Sequence, residues 1–190
     1  MLPRCHKVEE DGTRLTSNEI AANTTFLFLA GHETTTNLIG NGMLALLRHP
    51  DELSRLRADP SLIGSAVEEL LRYDSPVQMR VRVARETVEI GGRRIAKGQR
   101  VLILVGAANR DPARFPDPDR LDIARPDNRH LAFGHGIHFC TGAPLARLEG
   151  AIAIRRLLRR FPRLELTTDQ LAWRETLTLR ALNALPVSAR

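Results

Sequence analysis

The sequence predicts a mainly α-helical chain with a small β-sheet, an α+β fold, in a single domain over residues 1–190. Helical spacing of apolar residues recurs in several stretches, the first of them running from about Leu15 to Arg48. Between residues 77 and 108 the period changes to the alternation of strands, broken by glycine turns. No strand–helix unit repeats, which sets the chain apart from parallel α/β folds. A length of 190 residues is enough for one real core, and 26% charged with 43% hydrophobic residues is the balance of a globular protein.

Composition narrows the function classes. No apolar run approaches the ~18 residues of a membrane span, and the segment before Lys7 lacks the apolar stretch of a signal peptide, so no membrane role is expected. Two cysteines, Cys5 and Cys140, make no disulfide framework, which points to a reducing cytoplasm. Cys5 lies in a poorly patterned leader, residues 1–14, and reads as incidental. A net charge of +6 is compatible with nucleic acid, an acidic protein partner, or solubility alone. Only 4% of residues are aromatic and no helix-turn-helix or finger spacing is present, so no nucleic-acid partner is expected.

The elements follow in order. Thr16 and Glu19 form a capping-box pattern that starts a helix. It can run to Arg48, where His49-Pro50 stops it, giving a rod roughly 45–50 Å long. Its middle, Ala30-Gly31-His32-Glu33-Thr34-Thr35-Thr36-Asn37, breaks helix preferences, so it reads either as a functional site within the helix or as a loop between two shorter ones. Asp51 to Ala58 is a short helix, and another follows Pro60 and ends before Ser75-Pro76. On the latter, Glu69 and Arg72 share a face, and local rules favour a solvated pair. Met79, Val81 and Val83 then alternate with arginines, Gly91-Gly92 marks a hairpin, and residues 101–105 read as a short buried strand. Residues 109–129, rich in Pro, Asp and Arg, form an irregular meander. After a glycine-rich loop, Leu145, Leu148, Ile152 and Leu158 suggest a core-facing stripe on a helix reaching about Phe161, with its arginines outward. Residues 164–190 close the chain, with a hairpin expected.

That loop, Phe133-Gly-His-Gly-Ile-His-Phe-Cys-Thr-Gly142, places Cys140 just before a helix that has Pro144 in its first turn. Unpaired N–H groups and the positive end of the helix dipole favour a thiolate there. Such a sulfur suits a nucleophile or a metal ligand, and a buried structural thiol is the plain alternative.

Four separated motifs together resemble the bacterial soluble cytochromes P-450, the haem-thiolate monooxygenases. The loop resembles the family's haem-binding signature, Phe-x-x-Gly-x-x-x-Cys-x-Gly. Ala30-Gly31-His32-Glu33-Thr34-Thr35 resembles its oxygen-activating helix motif, Glu69-Leu70-Leu71-Arg72 its Glu-x-x-Arg element, and Phe115-Pro-Asp-Pro-Asp-Arg-Leu121 the meander before the loop. The likeness covers residues 10–190 and corresponds to the C-terminal portion of the family fold, with its long central helix and haem-thiolate loop.

The resemblance implies that haem b is the cofactor and that Cys140 is the axial ligand of its iron. It implies that Phe133, Gly134 and Gly142 are cofactor-binding residues of the loop, with Phe133 packed beside the sulfur, that Arg82 and His138 bind the haem propionates, and that Glu33 and Thr34 relay protons to bound dioxygen. It assigns Glu69, Arg72 and Arg120 a structural network that holds the loop. The activity implied is insertion of one oxygen atom from O2 into a small apolar organic substrate, with electrons from a ferredoxin or flavodoxin-type donor. Read residue by residue, without the resemblance, Arg82 is an ordinary strand arginine. Thr141 departs mildly from the apolar residue common after the cysteine. Family members are longer, and the helices over the other haem edge, the second set of propionate ligands and the substrate lid have no counterpart here. A truncated, non-catalytic fragment with at most weak haem binding is therefore the alternative.

Overall fold

A computed structural model describes residues 14–189, and Cys5 and most of the leader lie outside the described residues. Two compact units divide the chain, one up to Glu33 and the other from Thr34 onward. Both draw on one α-helix, α1 (Ser17–Arg48), assigned without interruption through the Gly31–Asn37 stretch. Of the two readings of this stretch, the continuous helix holds and the loop does not: the residues around it carry enough helix-forming Leu and Ala to outweigh one glycine and three threonines.

In the first unit the capping box forms. The Thr16 N–H donates to Glu19 Oε2 at 2.7 Å, and the Glu19 N–H donates back to Thr16 Oγ1 at 3.3 Å. One turn apart, the rings of Phe28 and His32 stack at 5.5 Å.

The second unit holds the core. Past Thr34, α1 buries Leu38, Met43, Leu44 and Leu46. Pro50 opens α2 (Pro50–Ala58) at a position where its missing N–H costs nothing. After a 3-10 turn comes α3 (Ile63–Tyr73), whose Ala66, Val67, Leu70 and Leu71 are buried in the same cluster as Leu121, Ile123 and Ile154. Each Val, Leu or Ile among them contributes about 1.5–3 kcal/mol by leaving water, and Ala66 less.

Strands β1 (Met79–Val83) and β4 (Arg100–Leu104) pair antiparallel with Arg82 opposite Val101. Between them β2 (Val88–Ile90) and β3 (Arg93–Ile95) make a tight hairpin, whose Gly91 and Gly92 sit at φ 56° and 71° as a primed turn requires. The expected small sheet is thus separate two-stranded ladders. The apolar run of β4 is not buried: Leu102, Ile103 and Leu104 stay exposed on a ladder of only two strands.

A single turn, α4 (Val105–Ala108), leads into the meander. The last helix, α5 (Ala143–Arg160), packs on α3 through Gly150, where a Cβ would lie 3.1 Å from Leu38 Cδ2 and 3.6 Å from Val67 Cγ1. This close approach decides which face of α5 is inward. Ala143, Gly150, Ile154 and Leu158 are buried, whereas Leu145, Leu148 and Ile152 of the expected stripe are exposed. Apolar spacing marked Leu158 correctly but not the close approach at Gly150, which turns Ile154 inward in place of Ile152. The tail closes with β5 (Leu164–Leu166) paired antiparallel to β6 (Val187–Ala189).

Candidate functional site

The most heavily bonded point of the second unit is the α3 pair Glu69–Arg72. Both side chains are fully buried, so the solvated-pair expectation fails. Arg72 donates Nε to Glu69 Oε2 at 2.8 Å and Nη2 to Oε1 at 2.9 Å. Its remaining hydrogens go to the carbonyls of Asn109 and Pro118, each at 2.9 Å, and of Arg120 at 3.2 Å. All five guanidinium donors are used, which is what a buried arginine needs.

Glu69 accepts, besides Arg72, the Asp122 N–H at 3.0 Å, Arg125 Nε at 3.2 Å and Asn128 Nδ2 at 3.0 Å. The network therefore has further members. Arg120 enters through its backbone carbonyl, and the second guanidinium is that of Arg125, whose side chain is 8% exposed. A motif centred on residues 115–121 draws attention to the arginine inside it. The chain turns at Asp117 and Asp127, both with positive φ, and that brings the later arginine back to the carboxylate. The excess of Asp and Arg beyond residue 121 was the available signal for Arg125 and Asn128.

The meander delivers the cysteine loop. The Gly134 N–H donates to the Leu131 carbonyl at 2.8 Å, and the Cys140 N–H to the Phe133 carbonyl at 2.9 Å. Gly134 and Gly136 have φ of 76° and 70°, a region other residues enter at a cost. The Cys140 thiol is free and exposed, so the buried structural thiol is not what the fold contains. Its carbonyl accepts the Ala143 N–H at 3.2 Å, which seats the sulfur at the N-terminus of the 18-residue helix α5. At Gly142 a Cβ would lie 3.8 Å from Cys140 Sγ.

Phe133 is partly buried against the core, while its neighbours Ile137 and Phe139 are exposed. The face of its ring carries the Arg147 guanidinium, 4.6 Å from the centroid. Arg147 grips Glu68 in a fork, Nε to Oε1 at 2.6 Å and Nη2 to Oε2 at 2.9 Å, and His130 Nε2 lies 3.2 Å from Glu68 Oε2. Burial pushes the Glu68 carboxyl up, but the hydrogen bonds from His130 and Arg147 outweigh it and hold the group at about 2. No local pattern separates Arg147 from the other arginines of α5, or Glu68 from its neighbour.

The other expected site residues are distributed as follows. His138 ends the 3-10 turn Gly136–His138 inside the loop and is exposed. Arg82 is exposed on β1, with Nη1 donating to the Val81 carbonyl at 3.0 Å. Thr34 begins the second unit and Glu33 ends the first, adjacent on α1 and both half-buried. The fold thus joins Phe133, Gly134, His138, Cys140 and Gly142 in one loop, with Glu69 and Arg72 behind the meander that leads to it.

Comparison with known proteins identifies the family. The family model for Cytochrome P450 matches residues 2–178. The chain is 52% identical over 185 residues to cytochrome P450 monooxygenase PikC of Streptomyces venezuelae, covering 96% of this chain and 44% of that protein. It is 53% identical over 175 residues to the biotin biosynthesis cytochrome P450 of Bacillus subtilis, covering 92% of this chain and 44% of that one. The crystal structure of P450BioI in complex with an acyl carrier protein superimposes with a TM-score of 0.91 at 52% identity, over 95% of this chain and 47% of that chain. The chain therefore spans a little under half the length of the relatives it matches.

Proposed function

The chain belongs to the cytochrome P450 family, and from that premise we propose that it carries the thiolate side of a haem-thiolate monooxygenase, with Cys140 as the axial ligand of a haem b iron. The observation that carries the reading is an exposed, unpaired thiol at the N-terminus of α5, in a loop whose left-handed glycines present no Cβ to an approaching ring. The donor set fits the group. A thiolate is a suitable iron ligand, a Cβ at Gly136 would meet nothing within 4 Å, and Ile137 and Phe139 offer apolar surface beside the sulfur. When bound there, haem supplies the dioxygen-activating chemistry, and the thiolate donates electron density to its iron.

The chain's own residues prepare the position. Phe133 holds the Cys140 N–H through its carbonyl and shields one side of the loop from water. His138, when protonated, and Arg82 are the cations assigned to the propionates by charge-assisted hydrogen bonds. Thr34 and Glu33 are assigned, from the helix motif, the holding and transfer of protons. The donor of electrons is a ferredoxin or flavodoxin-type protein, the substrate a small apolar organic molecule, and the compartment the cytoplasm. Among the described residues no helix is long and apolar enough to cross a membrane.

The test is the reduced carbon-monoxide spectrum of the purified, haem-supplied chain. A thiolate-type band that disappears in Cys140→Ser is the expected result. Absence of that band in the parent rejects the reading for this chain. A second reading is favoured by the exposed Leu145 and Leu148 on α5: the 190-residue chain alone binds haem weakly and turns nothing over. Near-random circular dichroism or persistent aggregation supports it.

A further inference from the structure

We infer that Glu68, Arg147 and His130 form a clamp that fixes Phe133 and, through the Phe133 carbonyl, sets the position of Cys140. They are positioning residues for the thiolate, and the assignment rests on the reading of Cys140 as a ligand.

The clamp is built from three separate parts of the chain. Glu68 lies on α3, Arg147 on α5, and His130 at the end of the meander. The two-point fork between Arg147 and Glu68 fixes the guanidinium in plane as well as in place, which a single contact would not do. His130 is oriented at both nitrogens. The Ala132 N–H donates to Nδ1 at 3.2 Å, so Nε2 carries the hydrogen that Glu68 accepts. The His130 side chain is 3% exposed, so its end of the clamp is shut away from competing water, while Glu68 and Arg147 stay partly open to solvent.

Both basic partners end on one aromatic ring. Arg147 stacks over Phe133 at 4.6 Å, and the His130 ring is 5.9 Å from it, tilted by 49°. A guanidinium over an aromatic face is attractive, and more so where water is excluded. On the loop side Phe133 meets Phe139 edge-on at 6.3 Å and accepts the Cys140 N–H at 2.9 Å. The residues before and after the turn are thus tied to the same ring. Consecutive acids on α3 divide the work: Glu69 anchors the meander, and Glu68 anchors the loop and the start of α5.

The experiment uses the full chain in a Cys5→Ser background, leaving Cys140 as the single thiol. Alkylation of Cys140 by iodoacetamide is timed without haem, and the reduced carbon-monoxide spectrum is taken after haem supply. Glu68→Gln is expected to speed alkylation by about threefold or more, as the ring and loop are released, and to lower the thiolate-type share of the spectrum. Arg147→Lys keeps the charge but loses the fork, and is expected to fall between parent and Glu68→Gln. Circular dichroism identifies any variant that has not folded. If Glu68→Gln fails to fold, Arg147→Lys decides by the same two readouts. Alkylation within experimental error of the parent in the folded variants overturns the clamp. A parent without the thiolate-type band rejects the ligand reading instead, and the alkylation rates still decide the clamp.

Discussion

The meander junction and the cysteine loop are neighbours in sequence and opposites in construction. At the junction, Arg72 and Glu69 are completely buried and every guanidinium hydrogen has an acceptor. In the loop, residues 134–142 are all exposed, with the turn held by main-chain bonds from Gly134, Phe139 and Cys140. Charge that must not move is placed out of water, where removing one partner is costly. The sulfur that must meet something is left open, where few contacts hold it. The open loop follows directly on a meander that this buried charge network anchors.

The harshest way to break this contrast is Arg72→Ala. It leaves the buried Glu69 carboxylate with Arg125 as its one remaining cation and costs about 3–5 kcal/mol. That is a large share of the ~5–15 kcal/mol stability of a typical domain, so the cooperative melt followed by circular dichroism should be lost or sharply lowered. Gly134→Ala strains the loop instead, because φ is 76°, and should cost about 1–2 kcal/mol in the same melt. A larger loss from Gly134→Ala than from Arg72→Ala would reverse the ranking of the two regions.

Acid provides a finer probe. The folded Glu68 carboxyl is held at about 2, below its ordinary value of 4.5. A depressed folded value means that its stabilising contribution is complete above about pH 4.5 and is lost as pH falls toward 2. Solvent reaches the pair, so the contribution is under about 1 kcal/mol. Urea titrations should show Glu68→Gln less stable than the parent at neutral pH, with the gap closing on acidification. Asp74 runs the other way: burial raises it against the pull of Arg180, so its charged form is penalised and the penalty eases as pH falls. The mildest change is Cys140→Ser. An exposed thiol contributes within about ±0.5 kcal/mol, so the melt should stay in place while the thiolate-type band disappears.

Much of this was legible because the chemistry is local. The Thr16–Glu19 box, the Gly91-Gly92 turn and the Pro144 start of α5 each depend on residues within one turn, and the folded chain has them as read. What escaped the sequence depends on what lies across the contact. Leu148 and Ile154 are equally apolar, but Gly150 decides which of them faces α3. Leu102 reads as core until the ladder proves to have two strands. Arg125 and Arg120 are five residues apart in one irregular segment, and only the turns at Asp117 and Asp127 choose between them. Glu33, Thr34, Arg82 and His138 were named from motifs and not from contacts.

Arg72 also imposes an order of assembly. Its carbonyl acceptors lie 37, 46 and 48 residues further along the chain. During synthesis, α3 emerges well before any of them, with a charged group that has only Glu69 to meet. Until Arg120 has left the ribosome, desolvating that group is costly and the helix has reason to stay wet. Burial of α3 and the shaping of the meander then become a single late event, and the cysteine loop, made next, arrives at a support that has just closed.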